Sequence, residues 1–118
     1  MQRVLLVADR QSVIDRVHAS LAGADVDVID HAESATAATT AYAEEIDAVL
    51  VDMQVGSMGS MAVTRDVRAK SEGGEEIPVT ILLDREADAF LAGRSGAKNW
   101  ILKSAPAAEL RAALAPAS

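Results

Sequence analysis

Five times along this chain a short apolar run is followed by a stretch of helical apolar spacing, and that alternation restricts the possible folds more than any other feature. Val4 to Ala8 is unbroken apolar sequence, as in a strand covered on both faces, and Val13, Val17 and Leu21 then place one stripe on a helix that Gly23 ends. Asp25 to Ile29 alternates acid and aliphatic, as an edge strand with one poorly covered face does, so Val26 and Val28 point opposite Asp25 and Asp27. Ser34 to Glu44 is alanine-rich and helical, with Ser34 as its N-cap. Ala48 to Val51, introduced by Ile46-Asp47, is a third strand that leads straight into Asp52. Gly56, Ser57, Gly59 and Ser60 make a loop, after which Met61, Val63 and Val67 form a helical stripe. Ser71 to Glu76 reads as a flexible connection, and Pro78 opens a fourth strand, Val79 to Leu83, where a missing N–H matters least. A short helix over Ala87 to Ala92, a fifth strand over Asn99 to Leu102 and a last helix from Pro106 through Leu110 and Leu114 complete the pattern.

All 118 residues fit one domain, 1–118, large enough to bury a core without disulfides or a structural metal. The only aromatics are Tyr42, Phe90 and Trp100, so the core is built from Val, Ile, Leu, Met and Ala, which implies close packing of helices on the sheet. A net charge of −7 argues against direct nucleic-acid binding, whose affinity comes mainly from Lys and Arg neutralising phosphates. There is no cysteine, and the two histidines, His18 on a helix surface and His31 in a loop after the second strand, lack metal-ligand spacing. The first apolar run is too short for a signal peptide or a membrane span, which leaves a cytoplasmic protein as the expectation.

Right-handed crossovers arrange five such units as a doubly wound parallel sheet of order 2-1-3-4-5, and ligands in such sheets gather at the carboxyl ends of the strands. Those ends carry Asp9, Asp52, Leu83-Asp84 and Lys103. Taken singly, each has an ordinary explanation as a loop acid, a cap or a solvated charge. Together, two carboxylates at one crevice repel unless a cation lies between them, and Mg²⁺ with its preference for oxygen ligands suits that position. A lysine opposite would neutralise a phosphoryl group carried by a carboxylate.

With these residues in place the chain resembles the bacterial response-regulator receiver domain over nearly its whole length. The matching stretches are Val4-Leu5-Leu6-Val7-Ala8-Asp9, Ala48-Val49-Leu50-Val51-Asp52-Met53, Met58 to Met61, Ile77-Pro78-Val79, and Gly96-Ala97-Lys98-Asn99-Trp100-Ile101-Leu102-Lys103. The resemblance implies a flavodoxin-like fold, with Asp52 accepting phosphate from a histidine kinase or another phosphodonor. It implies Asp9, Asp52 and the Gln54 carbonyl as Mg²⁺ ligands, Lys103 at the phosphoryl group, and Trp100 at the position of the switching aromatic. Because Ala115 to Ser118 reads as a tail, output would pass through an unidentified protein target, or through a homodimer, rather than an attached effector.

Four departures from the family pattern mark this as an atypical receiver. Ala8 stands where a second acid usually precedes Asp9, which should weaken Mg²⁺ binding. Leu83 stands where a switching Thr or Ser is usual, and a lost hydrogen bond to a charged group, worth roughly 1.5 to 3 kcal/mol, removes about tenfold or more of the coupling to phosphorylation. Asp84 replaces a small residue and would repel a phosphoryl group unless it caps the next helix or pairs with Lys103. Ser104 replaces the proline after Lys103, which favours a trans bond there, and the stretch from Leu83 to Lys103 is about two residues short.

Two readings of function follow. Asp9, Asp52 and Lys103 favour a phosphoacceptor, whereas Ala8, Leu83 and Asp84 favour a pseudo-receiver that binds proteins without phosphate. An enzyme on a related fold fits less well, since Gln54 spoils the aspartyl-phosphatase nucleophile motif and Asp9-Arg10-Gln11-Ser12 is a poor flavin phosphate loop. Met53, Met58 and Met61 suit either an adaptable contact surface or gap-filling, and Trp100 either a conformational reporter or a half-buried core aromatic.

Overall fold

The computed structural model describes residues 1–56, 59–71 and 76–114. Strands β1 (Gln2–Val7), β2 (Val26–His31), β3 (Ala48–Asp52), β4 (Val79–Leu83) and β5 (Asn99–Leu102) alternate with helices α1 (Gln11–Leu21), α2 (Ala37–Ala43), α3 (Ser60–Lys70), α4 (Ala89–Arg94) and α5 (Ala107–Leu114). All strand pairs are parallel and the sheet order is 2-1-3-4-5, as the alternation predicts.

Side-chain alternation along the strands divides the core in two. Leu5, Val7, Val49, Val51, Ile81 and Leu83 face α2, α3 and α4, where Ala37, Ala38, Ala41, Val63, Val67 and Ala92 meet them. Val4, Leu6, Leu50 and Leu82 face α1 and α5, against Val13, Val17, Leu21, Leu110 and Leu114. The three central strands β1, β3 and β4 are covered on both sides, which is why their sequences are mostly apolar, with Thr80 the polar residue buried inside β4. The residues that α2 buries in this core are Ala37, Ala38 and Ala41, and Tyr42 ties the helix to α3 by donating to the Val67 carbonyl at 2.8 Å.

On the edge strand, Val26 and Val28 pack inward beside α1 while Asp27 is exposed, as the alternation requires. This strand runs two residues further than its acid–aliphatic pattern suggests, so His31 closes β2 instead of lying in a loop, and its ring meets the Thr36 hydroxyl at 2.8 Å. His18 is exposed on α1 and pairs with Asp30 at 2.8 Å.

The segment from Ser34 to Glu44 is not one helix. It begins with a 3-10 turn, Ser34–Thr36, preceded by Glu33 at the cap position, before α2 starts at Ala37. Ser34 is therefore not an N-cap; its hydroxyl donates to the Gly56 carbonyl at 2.7 Å, across to the loop after β3. A second 3-10 turn, Glu86–Asp88, likewise precedes α4, which then extends to Arg94. Most of the connection between Ser71 and Glu76, and all of the tail from Ala115 to Ser118, lie outside the described residues.

Candidate phosphoacceptor site

Residues at the carboxyl ends of β1, β3, β4 and β5 meet on one rim of the sheet. Backbone hydrogen bonds set the ends in register: the Met53 N–H donates to the Leu82 carbonyl at 3.0 Å, and the Lys103 N–H donates to the Leu83 carbonyl at 2.8 Å. Asp52, the last residue of β3, is fully buried and paired across to Leu82, while Lys103 leaves β5 next to the end of β4. The bond before Ser104 is trans, as the replacement of proline predicts, and Lys103 still reaches the rim.

The two oxygens of Asp52 differ. Oδ1 accepts the Gln54 N–H at 2.9 Å and lies 2.6 Å from the Lys103 ammonium. Oδ2 is buried and has no hydrogen-bond partner among the described residues. A buried carboxylate oxygen without a donor is costly, and such atoms in native structures mark the place of a water, an ion or a reaction. Oδ2 is thus the atom free to act as a nucleophile or a metal ligand.

Asp9 follows the end of β1 and is exposed, and its Oδ2 accepts the Gly56 N–H at 3.0 Å. The loop of residues 53–56 therefore runs from one carboxylate to the other, hydrogen-bonding Asp52 at Gln54 and Asp9 at Gly56. A Cβ at position 56 would stand 2.9 Å from the Asp9 carboxylate, so any other residue would push that carboxylate away from the Gly56 N–H. Gly56 reads in the sequence as a plain loop residue, and its partner Ser34 as a helix cap; both instead place Asp9. No signal in a single sequence marks either, because both roles depend on partners distant along the chain.

No group of three or more Asp, Glu, His or Cys side chains is placed to hold a metal ion among the described residues. Two carboxylates, one with an unpartnered oxygen, beside the backbone of Gln54 do suit a hard divalent cation that keeps several waters, as Mg²⁺ does. Ala8, which stands in place of a second acid before Asp9, is buried in the α1 face of the core. Leu83 is buried in the other face and contributes no hydroxyl to the rim.

Asp84 supplies what Leu83 does not: a polar group at the end of β4. Its Oδ1 accepts from Lys103 Nζ at 2.9 Å, so the ammonium bridges Asp52 and Asp84. Asp84 does not cap the following turn, whose cap position is Arg85. The Asp88 carboxylate takes the Arg85 guanidinium at 3.1 Å and holds its pKa further above the ordinary value. Trp100 is 43% exposed on β5, with its ring over Gly93 of α4, and so is a surface aromatic and not part of the core.

The sequence pattern of the response regulator receiver domain matches residues 4–115. The chain belongs to this family. Among curated relatives, the transcriptional regulatory protein RstA of Escherichia coli (strain K12) is 34% identical over 116 residues, which cover 97% of this receiver and 47% of RstA. The receiver thus spans about half the length of that relative. The BeF3-activated N-terminal receiver domain of Klebsiella pneumoniae RstA is 28% identical with a TM-score of 0.79, over 98% of this chain and all of that one (100%). At 24% identity and a TM-score of 0.80, the receiver domain of a Pseudomonas aeruginosa sensor histidine kinase matches over 96% of this chain and 93% of its own; it was solved with magnesium in its active-site cleft. The last likeness establishes the shared fold. No helix among the described residues of this receiver is long and apolar enough to cross a membrane.

Proposed function

We propose that this receiver accepts a phosphoryl group on Asp52 and signals through protein contacts. The observation that carries the proposal is the division of labour within the Asp52 carboxylate: Oδ1 is held by Lys103 and the Gln54 N–H, and the buried Oδ2 is left without a donor. Held in this way, the carboxylate presents one oxygen to an incoming phosphorus with its orientation already set. With a phosphohistidine donor, Oδ2 supplies the electron pair for the new O–P bond while the P–N pair returns to the imidazole. Lys103 stands where it offsets charge on the transferred oxygens.

Asp9, Asp52 and the Gln54 carbonyl would hold Mg²⁺, which would supply positive charge for phosphoryl transfer. Gly56 and Ser34 keep Asp9 in position for that task. The test is labelling by acetyl phosphate with and without Mg²⁺, followed by intact mass. Addition of one phosphoryl group in wild type, abolished by Asp52→Asn and by EDTA, is the expected result. No addition to wild type at any Mg²⁺ concentration would overturn the proposal.

The phosphate-independent alternative has specific support: Ala8 and Leu83 are both buried apolar residues where polar site groups are usual in the family, and Asp84 already occupies Lys103. On that reading a partner binds wild type and Asp52→Asn equally well.

A further inference from the structure

Lys103 has three N–H donors, and two are engaged by carboxylates: Asp52 at 2.6 Å and Asp84 at 2.9 Å. The two acids are not equivalent. Asp52 is fixed inside the protein, whereas the Asp84 side chain is 37% exposed on the first residue after β4. Lys103 is 14% exposed, so it meets any new anion at Asp52 from within a largely dry setting. Arg85, beside Asp84 in sequence, is committed to Asp88. Arg10 and Arg16 border the same groove of ≈ 280 Å³ as Asp84 and Lys103, so a displaced Asp84 carboxylate would face cations.

We infer that Asp84 is a positioning residue for phosphoryl transfer, acting through Lys103 as an internal counter-anion that the incoming phosphoryl group must displace. The inference rests on Asp52 being the phosphoacceptor. A phosphoryl group brings more negative charge than the carboxylate it modifies, and the ammonium cannot neutralise it fully while Asp84 holds one donor. Asp84, the exposed partner, is the one that yields. At rest it tethers the end of β4 to the end of β5, so phosphorylation releases this loop where the family's hydroxyl would draw it in.

The experiment compares wild type, Asp84→Asn, Asp84→Glu and Asp52→Asn in titrations with Mg²⁺ alone and with beryllofluoride plus Mg²⁺, followed by ¹⁹F NMR and calorimetry. Removing a partly exposed pairing charge is worth up to about 1 kcal/mol, so Asp84→Asn should bind beryllofluoride roughly fivefold tighter. Its affinity for Mg²⁺ alone should stay equal or fall, since a negative charge has been removed; mere structural damage would weaken both. Asp84→Glu, which keeps the charge, should remain near wild type. If wild type and Asp84→Asn bind beryllofluoride equally, or if Asp84→Glu gains as much as Asp84→Asn, the inference is wrong and the phosphoacceptor reading stands. If wild type and Asp84→Asn bind no more than Asp52→Asn, the phosphoacceptor reading fails and the inference falls with it.

Discussion

Replacing Lys103 with Met tests whether the rim is an electrostatic unit or a set of independent surface charges. Methionine keeps most of the apolar stem, so the perturbation is the loss of the ammonium. Asp84 is exposed enough to be hydrated and loses little. Asp52 is 0% exposed, and without Lys103 its described hydrogen-bond donor is the Gln54 N–H. Removing one partner of a buried ion pair costs about 3 to 5 kcal/mol because a charge is left uncompensated. Lys103 is itself 14% exposed and water can reach its place, so the lower end applies, about 3 kcal/mol. With a urea slope of about 1.5 kcal/mol/M for a domain this size, the midpoint should fall by about 2 M, followed by far-UV circular dichroism. Adding Asp52→Asn to Lys103→Met should restore more than half of the loss, because the buried charge is then gone while the Gln54 bond can remain. A midpoint within about 0.5 M of wild type, or a double variant no more stable than Lys103→Met, would refute the view that Asp52 and Lys103 are a coupled buried pair.

Three further outcomes are expected. Gly56→Ala places a Cβ 2.9 Å from the Asp9 carboxylate and should weaken Mg²⁺ binding about tenfold in calorimetric titration, the equivalent of one charge-assisted hydrogen bond. Asp9→Ala should reduce Mg²⁺ affinity and slow acetyl phosphate labelling, yet leave thermal stability nearly unchanged, because Asp9 is exposed. Leu83→Thr should enlarge the Trp100 fluorescence change on adding beryllofluoride and Mg²⁺, at a stability cost of about 2 to 3 kcal/mol for a buried leucine exchanged for a hydroxyl.

The parts of the fold that burial alone determines were legible in the sequence. β1, β3 and β4 are covered on both faces, and mostly Val, Ile and Leu fill such positions, so their apolar sequences predict their central place in the sheet. The 3-10 turns at Ser34 and Glu86 were not legible. Serine before an alanine-rich run is the local signature of a cap, and the competing partner that redirects its hydroxyl, the Gly56 carbonyl, lies 22 residues away. His31 was misplaced for a related reason: its neighbour across the ladder is Val7, and pairing with β1 extends β2 past the end of its own alternating pattern.

The site divides in the same way. Asp9, Asp52 and Lys103 were legible because strand ends in a doubly wound sheet share one rim, so a charged residue ending an apolar run is placed by topology before any contact is known. Asp84 was placed too, but its partner was open between the next helix and Lys103, and only the Leu83 carbonyl bond that brings Lys103 alongside decides it. That choice changes the charge balance of the rim. With Asp84 drawn to Lys103, Asp52 shares its one ammonium partner with a second carboxylate. On the proposed function, anion binding at Asp52 therefore depends on the cation more steeply than in a receiver with a small residue at position 84. On that reading the same acid would both loosen the site's hold on phosphate and raise its dependence on the metal.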